Sequence, residues 1–306
     1  MKKQVLYLLL CGVLCISNTP AQPGCNYISS GYYQLIYEAD IAYLSGDREL
    51  AYQKVSQAEK LCPLIQQPMY YEISNYIELL SERNYFEKAI QYITLLVSDY
   101  GYLPEWFEKR DYFPALSAYT DWNSLKQQLT NASNEFYSKV DTLLVKELKT
   151  ITKNDQVVRK KKENQTEEDF IQQQATDAVH EARIKEIFET HGYPGQRLIG
   201  YKNTLWWSGI DALLMHFSDT TYFPPALLNF IEKGECSPDI LGSFVDSRCR
   251  MKTNKDRFIY GIYSNIGDEE IWDVANLDKR RQAIGMSTKR MKQQRDSLIA
   301  IKYRNE

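Results

Sequence analysis

The sequence predicts an all-α protein. Apolar side chains recur at spacings of three and four residues in both halves of the 306-residue chain, as helices require. The alternation of apolar and polar residues that marks a strand is nearly absent. Two pairs of apolar segments in the first half are separated by turn sequences, Ser45-Gly46-Asp47 and Arg83-Asn84-Tyr85. These observations predict helical hairpins followed by further helices.

Residues 1–21 have the features of a secretory signal peptide. Met1-Lys2-Lys3 precedes an apolar run at 5–16, and Thr19-Pro20-Ala21 offers small residues for cleavage. The run is shorter than the roughly 20 residues that span a bilayer. A lipid anchor fits less well, because neither Cys15 nor Cys25 follows the residues that such a signal needs. We therefore expect cleavage near Ala21, export to the periplasm or outside a bacterial cell, and no transmembrane segment afterwards.

The charge of the exported chain is mild. Removing two lysines from the 37 basic residues leaves 35 against 40 acidic residues, a net charge of −5. This balance does not favour nucleic acid or an anionic surface as the main partner. The remaining residues (306 − 21 = 285) suit two domains of ordinary size. We place a helical repeat region at 22–149 and a second all-α domain at 150–306.

Four cysteines follow the signal segment: Cys25, Cys62, Cys236 and Cys249. An exported chain with an even number of cysteines can form disulfides. Cys25 precedes the first predicted helix and Cys62 ends the second, and these ends meet in an antiparallel pair, so a Cys25–Cys62 bond is expected. Cys236 and Cys249 flank a predicted helix of roughly 10–12 residues, whose ends would lie about 15–18 Å apart. A bond there would require the chain to double back, and the redox state of this pair is left open.

The segments 32–63 and 70–101 share one pattern. Each holds two apolar helices around its turn and a small residue, Ala51 or Ala89, that lets the helices approach closely. The pattern resembles the tetratricopeptide repeat, although the offset (89 − 51 = 38) exceeds its usual ~34 residues. Because two repeats are marginal alone, we expect segment 111–125 to cap them. A longer amphipathic helix is predicted at about 132–148.

Tyrosine is frequent in these repeats. One interpretation is a concave groove that binds a protein or peptide partner through aromatic rings and hydroxyls. The other is that the tyrosines pack between helices and reach water with their hydroxyls. We favour packing, while keeping the repeats as the surface that docks a partner.

The second half is predicted to be helical as well. Apolar residues at 178–188 indicate a helix from Asp177 to Thr190, which His191-Gly192 ends. Further helices are predicted at 205–217, 224–232 and 238–249. The run 159–168 has no apolar residue and is expected to be a solvated loop or an exposed helix end.

A spaced set of polar and turn residues runs through this half. In chain order they are Asp155-Gln156 with Arg159, Asp177, His191 to Gly195, His216 with Asp219, Asp246 with Arg248, Tyr260-Gly261, and Asp278 to Met286. Their order and spacing resemble a bacterial family catalogued as domain of unknown function 6624, for which no activity is established. The resemblance covers about residues 150–303. It departs at His180, where asparagine is expected, at 246–248, where the Asp-Arg pair is split, and after Tyr260-Gly261.

His216 is the leading candidate for chemistry. It matches the family's His-x-x-Asp with Asp219, and a neutral imidazole fixed by a carboxylate can act as a general acid or base. Asp219 could be that carboxylate, and Asp246 or Asp155 could instead fold in from elsewhere. The alternative, which we favour, is a buried polar network in which the same groups tie helices together.

The remaining motif residues are candidate binding residues. The guanidinium groups of Arg159 and Arg248 suit a small anionic ligand that carries carboxylate or phosphate. Asp278 is a predicted helix N-cap, and Arg281 could reach another motif carboxylate. The full candidate binding set is Asp155, Gln156, Arg159, Arg248, Tyr260, Asp278 and Arg281.

The sequence predicts neither a metal nor a cofactor. His180 and His191 lie eleven residues apart, about 16 Å along one helix, too far to share an ion. There is no Cys-x-x-Cys pair, calcium loop, phosphate-binding loop or nucleophile elbow. We therefore expect an exported envelope protein that binds or interacts through a polar pocket. The alternative is a metal-independent hydrolase or transferase that uses His216 with an aspartate.

Overall fold

The computed structural model describes residues 24–67, 70–159, 165–204, 209–251, 257–263 and 266–302. The predicted all-α class is confirmed, because these residues form α-helices and no sheet; 258 and 271 make one isolated bridge. The predicted signal segment lies outside the described residues. The helices are α1 Tyr32–Leu44, α2 Arg48–Leu61, α3 Glu72–Glu82, α4 Phe86–Tyr100, α5 Pro104–Phe107, α6 Phe113–Tyr119, α7 Trp122–Lys139, α8 Thr142–Val158, α9 Glu167–His191, α10 Gln196–Ile199, α11 Tyr201–Thr204, α12 Gly209–Leu214, α13 Phe223–Glu232, α14 Pro238–Met251, α15 Leu277–Ala283 and α16 Lys289–Lys302.

The two predicted hairpins are present as α1–α2 and α3–α4. Asp47 begins α2 by accepting a hydrogen bond from the Leu50 N–H at 3.0 Å, which satisfies one of the free donors of a helix start. Ala51 and Ala89 are fully buried, as expected for small residues where paired helices approach closely. A disulfide joins Cys25 to Cys62, with 5.9 Å between their Cα atoms. Cys236 is buried and, like Cys249, is not in a disulfide.

The connection between the halves differs from the prediction. Instead of one helix at 132–148, the chain forms α7 and α8 with a break at Val140-Asp141. The Asp141 carboxylate accepts the N–H groups of Leu143 and Leu144, so it starts a new helix where the apolar spacing alone suggests continuation. The boundary predicted between residues 149 and 150 therefore falls inside α8.

Helix α9 begins ten residues before the predicted start at Asp177. Thr166 and Asp169 form a capping box, in which each side chain accepts the other residue's backbone N–H. The charged run at 159–168 thus contains a helix start. The helix predicted at 205–217 is described only as α12, residues 205–208 lie outside the described part, and His216 lies in the turn that follows α12.

Tyrosines of α1 join the two halves. The Tyr33 hydroxyl donates to the Ile231 carbonyl at 2.7 Å, and the Tyr37 hydroxyl donates to the Gly285 carbonyl at 2.9 Å. Both rings are buried in a hydrophobic core that runs through both halves of the described chain. Gly285 allows this approach, since it adopts a φ of 86° and a Cβ there would lie 2.8 Å from the Tyr33 ring. At these positions tyrosine packs and bonds between helices.

No helix within the described segments has the length and apolar character that a bilayer span needs.

Candidate functional site

Helices α8 and α9 bring together the first predicted motif residues. Asp155, near the end of α8, is almost fully buried, and it accepts from Gln156 Nε2 at 2.9 Å and Arg159 Nε at 3.0 Å. Arg159 Nη2 also donates to Asp177 on α9 at 2.5 Å. One guanidinium therefore links two carboxylates from different helices, and its Nη1 makes no hydrogen bond in the described structure.

His180 lies one turn after Asp177 on the same face of α9. Its side chain is buried, and Nδ1 has no hydrogen-bond partner among the described residues. Burial lowers the pKa of His180, against the opposing charges of Asp155 and Asp177. The imidazole is therefore neutral at pH 7, with one buried nitrogen available to a ligand.

His216 reaches the same cluster from the turn after α12. Burial, with the positive charges of Arg159 and Arg248, lowers the pKa of His216 to about 4, while the negative charge of Asp155 acts in the opposite direction. The imidazole is therefore neutral at pH 7. Its ring nitrogens make no hydrogen bond to any residue that the structure describes.

Asp219 does not serve as the carboxylate partner of His216. It accepts the backbone N–H groups of Thr221 and Tyr222 at 2.8 and 3.0 Å, so it organises the turn before α13. It also accepts from Lys185 Nζ at 2.7 Å, and these donors hold the Asp219 pKa well below its usual range. Of the three aspartates considered from the sequence, only Asp155 acts electrostatically on His216.

Arg248, on α14, closes the cluster on the side of His216. Its Nη2 donates to the Met215 carbonyl, next to His216, and to Ser247 Oγ at 3.3 Å. Its Nε is buried without a partner, and the guanidinium forms no ion pair with a carboxylate in the described segments. Burial lowers the Arg248 pKa, which fits a cation held in the protein without direct charge compensation.

Asp246 faces a different part of the fold. It is fully buried and accepts the backbone N–H groups of Ile259, Tyr260 and Ile262 at 2.8 to 2.9 Å. All of the hydrogen bonds that its side chain makes hold the segment at 257–263. Its role is therefore to shape this loop.

The closing motif supports the same loop. Arg281 is fully buried and donates to the carbonyls of Tyr260 and Ser287, both at 2.6 Å. Asp278 accepts the Lys289 N–H at 2.8 Å, so it supports the start of α16 and is not the N-cap of its own helix. Tyr260, Asp278 and Arg281 thus belong to a second cluster that holds this loop, although Arg281 Nη2 is buried without a partner among the described residues.

Sequence reasoning missed two contributors on α9, Glu181 and Lys185. Glu181 accepts the Ser218 N–H at 2.5 Å, and Lys185 pairs with both Glu181 and Asp219. Together they fix the turn that carries His216. The sequence could have indicated these two residues, because Asp177, Glu181 and Lys185 are spaced by four and share one helix face.

No group of three or more histidine, cysteine, aspartate or glutamate side chains within the described segments could hold a metal ion. No protein-family model matches the chain. Searches of curated proteins and of solved structures likewise give no match. The resemblance to domain of unknown function 6624 therefore stays a prediction, and the site must be interpreted from its own chemistry.

Proposed function

We propose that the cluster around His216 is a binding pocket for a small oxyanion, a carboxylate or a phosphate. The observation that carries this proposal is a set of three buried nitrogens without partners: the donors Arg159 Nη1 and Arg248 Nε, and His180 Nδ1, which donates in the tautomer that carries the proton there. A buried donor without an acceptor costs about 1–3 kcal/mol. An oxyanion supplies several acceptor oxygens at once, and guanidinium groups suit it in charge and shape.

The charge balance favours Arg248 as the main contact. Arg159 is already bonded to Asp155 and Asp177, so those three groups together carry one negative charge. Arg248 contacts neither carboxylate directly, and the negative charges of Glu181 and Asp177 act on it without a hydrogen bond. A bound anion would therefore lie on the Arg248 side, between its Nε and the imidazole of His216.

Binding is better supported than catalysis. A general base works best when its pKa lies near the working pH. A pKa of about 4 leaves His216 neutral but weakly basic. The hydrolase or transferase alternative rests on the same neutral imidazole and requires a bound substrate to raise its pKa.

We also propose that the protein acts in the bacterial envelope. The disulfide between Cys25 and Cys62 supports export, because such bonds persist in oxidising compartments. The pattern of residues 1–21 points the same way. The helical hairpins would then dock a protein partner, while the pocket binds the anion.

Phosphate or acetate should raise the melting temperature of the wild-type chain, and Arg248→Gln should abolish the shift. A ligand at about 100 times its Kd adds roughly 2.7 kcal/mol, which is several degrees for a domain of this size. Thermal unfolding with inorganic phosphate, sulfate and acetate at constant ionic strength, balanced with chloride, measures this.

Arg183→Gln is the matched control for this titration. Arg183 forms partly exposed ion pairs with Glu147 and Glu186 on the same pair of helices, so its loss removes a surface charge and leaves the pocket intact. The shift should survive in this variant. If none of the anions shifts the wild-type chain, or if both arginine variants respond equally, the proposal is wrong.

A further inference from the structure

The C-terminal helix α16 lies on the first hairpin without embedding in it. It packs against α1, yet none of its residues is buried. The helix is polar on most of its surface and carries five basic residues, Lys289, Arg290, Lys292, Arg295 and Lys302. A helix with so little apolar burial depends on a few specific contacts to stay in place.

Arg295 supplies one of these contacts. Its Nε donates to Asp40 Oδ2 at 2.5 Å, and Asp40 on α1 is 7% exposed. Its guanidinium also lies over the ring of Tyr70, 4.5 Å from the centroid, as in a cation–π interaction. A carboxylate and an aromatic face thus bind one arginine from the opposite end of the chain.

A second buried carboxyl group, that of Glu72, lies beside Asp40 and Tyr70. A cavity of about 10 Å³, room for roughly one water molecule, is lined by Asp40, Tyr70 and Glu72 among others. Glu72 is 2% exposed, and its Oε2 accepts the Gln67 N–H at 2.8 Å. Its Oε1 has no hydrogen-bond partner among the described residues. The site therefore holds a buried carboxyl oxygen that Arg295 leaves unused.

Two acidic groups and an aromatic ring are the elements that recognise a guanidinium cation. We propose that the hairpins carry a recognition site for an arginine presented by a basic helix. Helix α16 occupies that site in the chain itself, and a basic helical segment of a partner protein binds there when α16 is displaced. Asp40, Tyr70 and Glu72 form the site, which is separate from the His216 pocket.

Amide hydrogen exchange on the full chain tests whether α16 can be displaced. Amides of 289–302 should exchange at least tenfold faster than those of α1 in the wild-type chain. Arg295→Gln should accelerate them about tenfold more. Arg290→Gln, an exposed position on the same helix, should have no such effect. Exchange of α16 as slow as that of α1 would overturn the proposal.

Binding in trans tests the recognition itself. A fluorescent peptide with the sequence of residues 287–302 should bind the Arg295→Gln chain at micromolar concentration, and should bind the wild-type chain at least tenfold more weakly because α16 competes. The same peptide with glutamine at 295 should bind the Arg295→Gln chain at least tenfold more weakly. Equal binding of the two peptides, or no binding of either to the Arg295→Gln chain, would contradict an arginine site.

Discussion

Replacing Asp246 with alanine should lower the free energy of unfolding by about 3–5 kcal/mol, because three partly buried N–H groups each lose an acceptor at a cost of about 1–3 kcal/mol. Those donors belong to Ile259, Tyr260 and Ile262, and Asp246 is fully buried. Burial raises the pKa of Asp246, and the three donors offset part of that rise. Total stabilities are about 5–15 kcal/mol, so the loss should be evident in urea unfolding followed by circular dichroism.

A graded series separates this structural role from a catalytic one. Asp246→Asn keeps one acceptor oxygen for Ile259 and Tyr260 but turns a donor toward Ile262, so it should cost roughly half as much. Asp278→Ala removes a single N–H acceptor at an exposed position and should cost about 1 kcal/mol or less. If the free energy of unfolding of Asp246→Ala lies within about 1 kcal/mol of the wild-type value, Asp246 does not hold the loop and is again a candidate catalytic residue.

The helices were largely predictable from the sequence, because their signals are local. Apolar spacing and turn residues placed α1 to α4 within a few residues of their observed bounds. The predicted helix bounds were wrong where a capping side chain determines the residue at which a helix begins. Asp141 begins α8 inside an apolar pattern, and Thr166 with Asp169 begins α9 inside a charged run. Spacing cannot show which polar side chain will cap a helix.

The site was less predictable, because its contacts connect distant parts of the chain. A spacing of three suggested Asp219 as the partner of His216, yet Asp219 caps the turn that follows it. Asp155, more distant in sequence, acts on His216 instead. The pairing depends on how α8 packs beside α9 and α12, which no local pattern records.

The burial of Glu72 leads to a prediction of similar size for the hairpins. Burial, with the negative charge of Asp40, raises the pKa of Glu72 from 4.5 to about 8, although the hydrogen bond from the Gln67 N–H acts in the opposite direction. Between pH 4.5 and 8, Glu72 is therefore protonated in the folded state and ionised in the unfolded state. The contribution of this proton to the free energy of unfolding is complete below about pH 4.5 and is lost as the pH rises toward 8.

Glu72→Gln removes this titration while keeping the shape of the side chain. Its amide oxygen can still accept the Gln67 N–H, and it carries no proton to lose. The variant and the wild type should have similar free energies of unfolding near pH 4.5, and a gap in favour of the variant should open as the pH rises. At 1.36 kcal/mol per pH unit, the gap at pH 8.5 should be on the order of 5 kcal/mol. Urea unfolding at pH 4.5, 6.5 and 8.5 measures the growth of this gap.

Glu78→Gln on the same helix is the control for this series. Glu78 is partly exposed and bonds to Tyr43 and Arg48, so its loss should not produce a gap that widens with pH. If the free energies of unfolding of Glu72→Gln and the wild type differ by the same amount at all three pH values, Glu72 is ionised in the folded protein. The arginine site would then hold Glu72 as a charged carboxylate beside Asp40. That outcome would revise the charge of the site. The peptide titration would still decide whether the site recognises arginine.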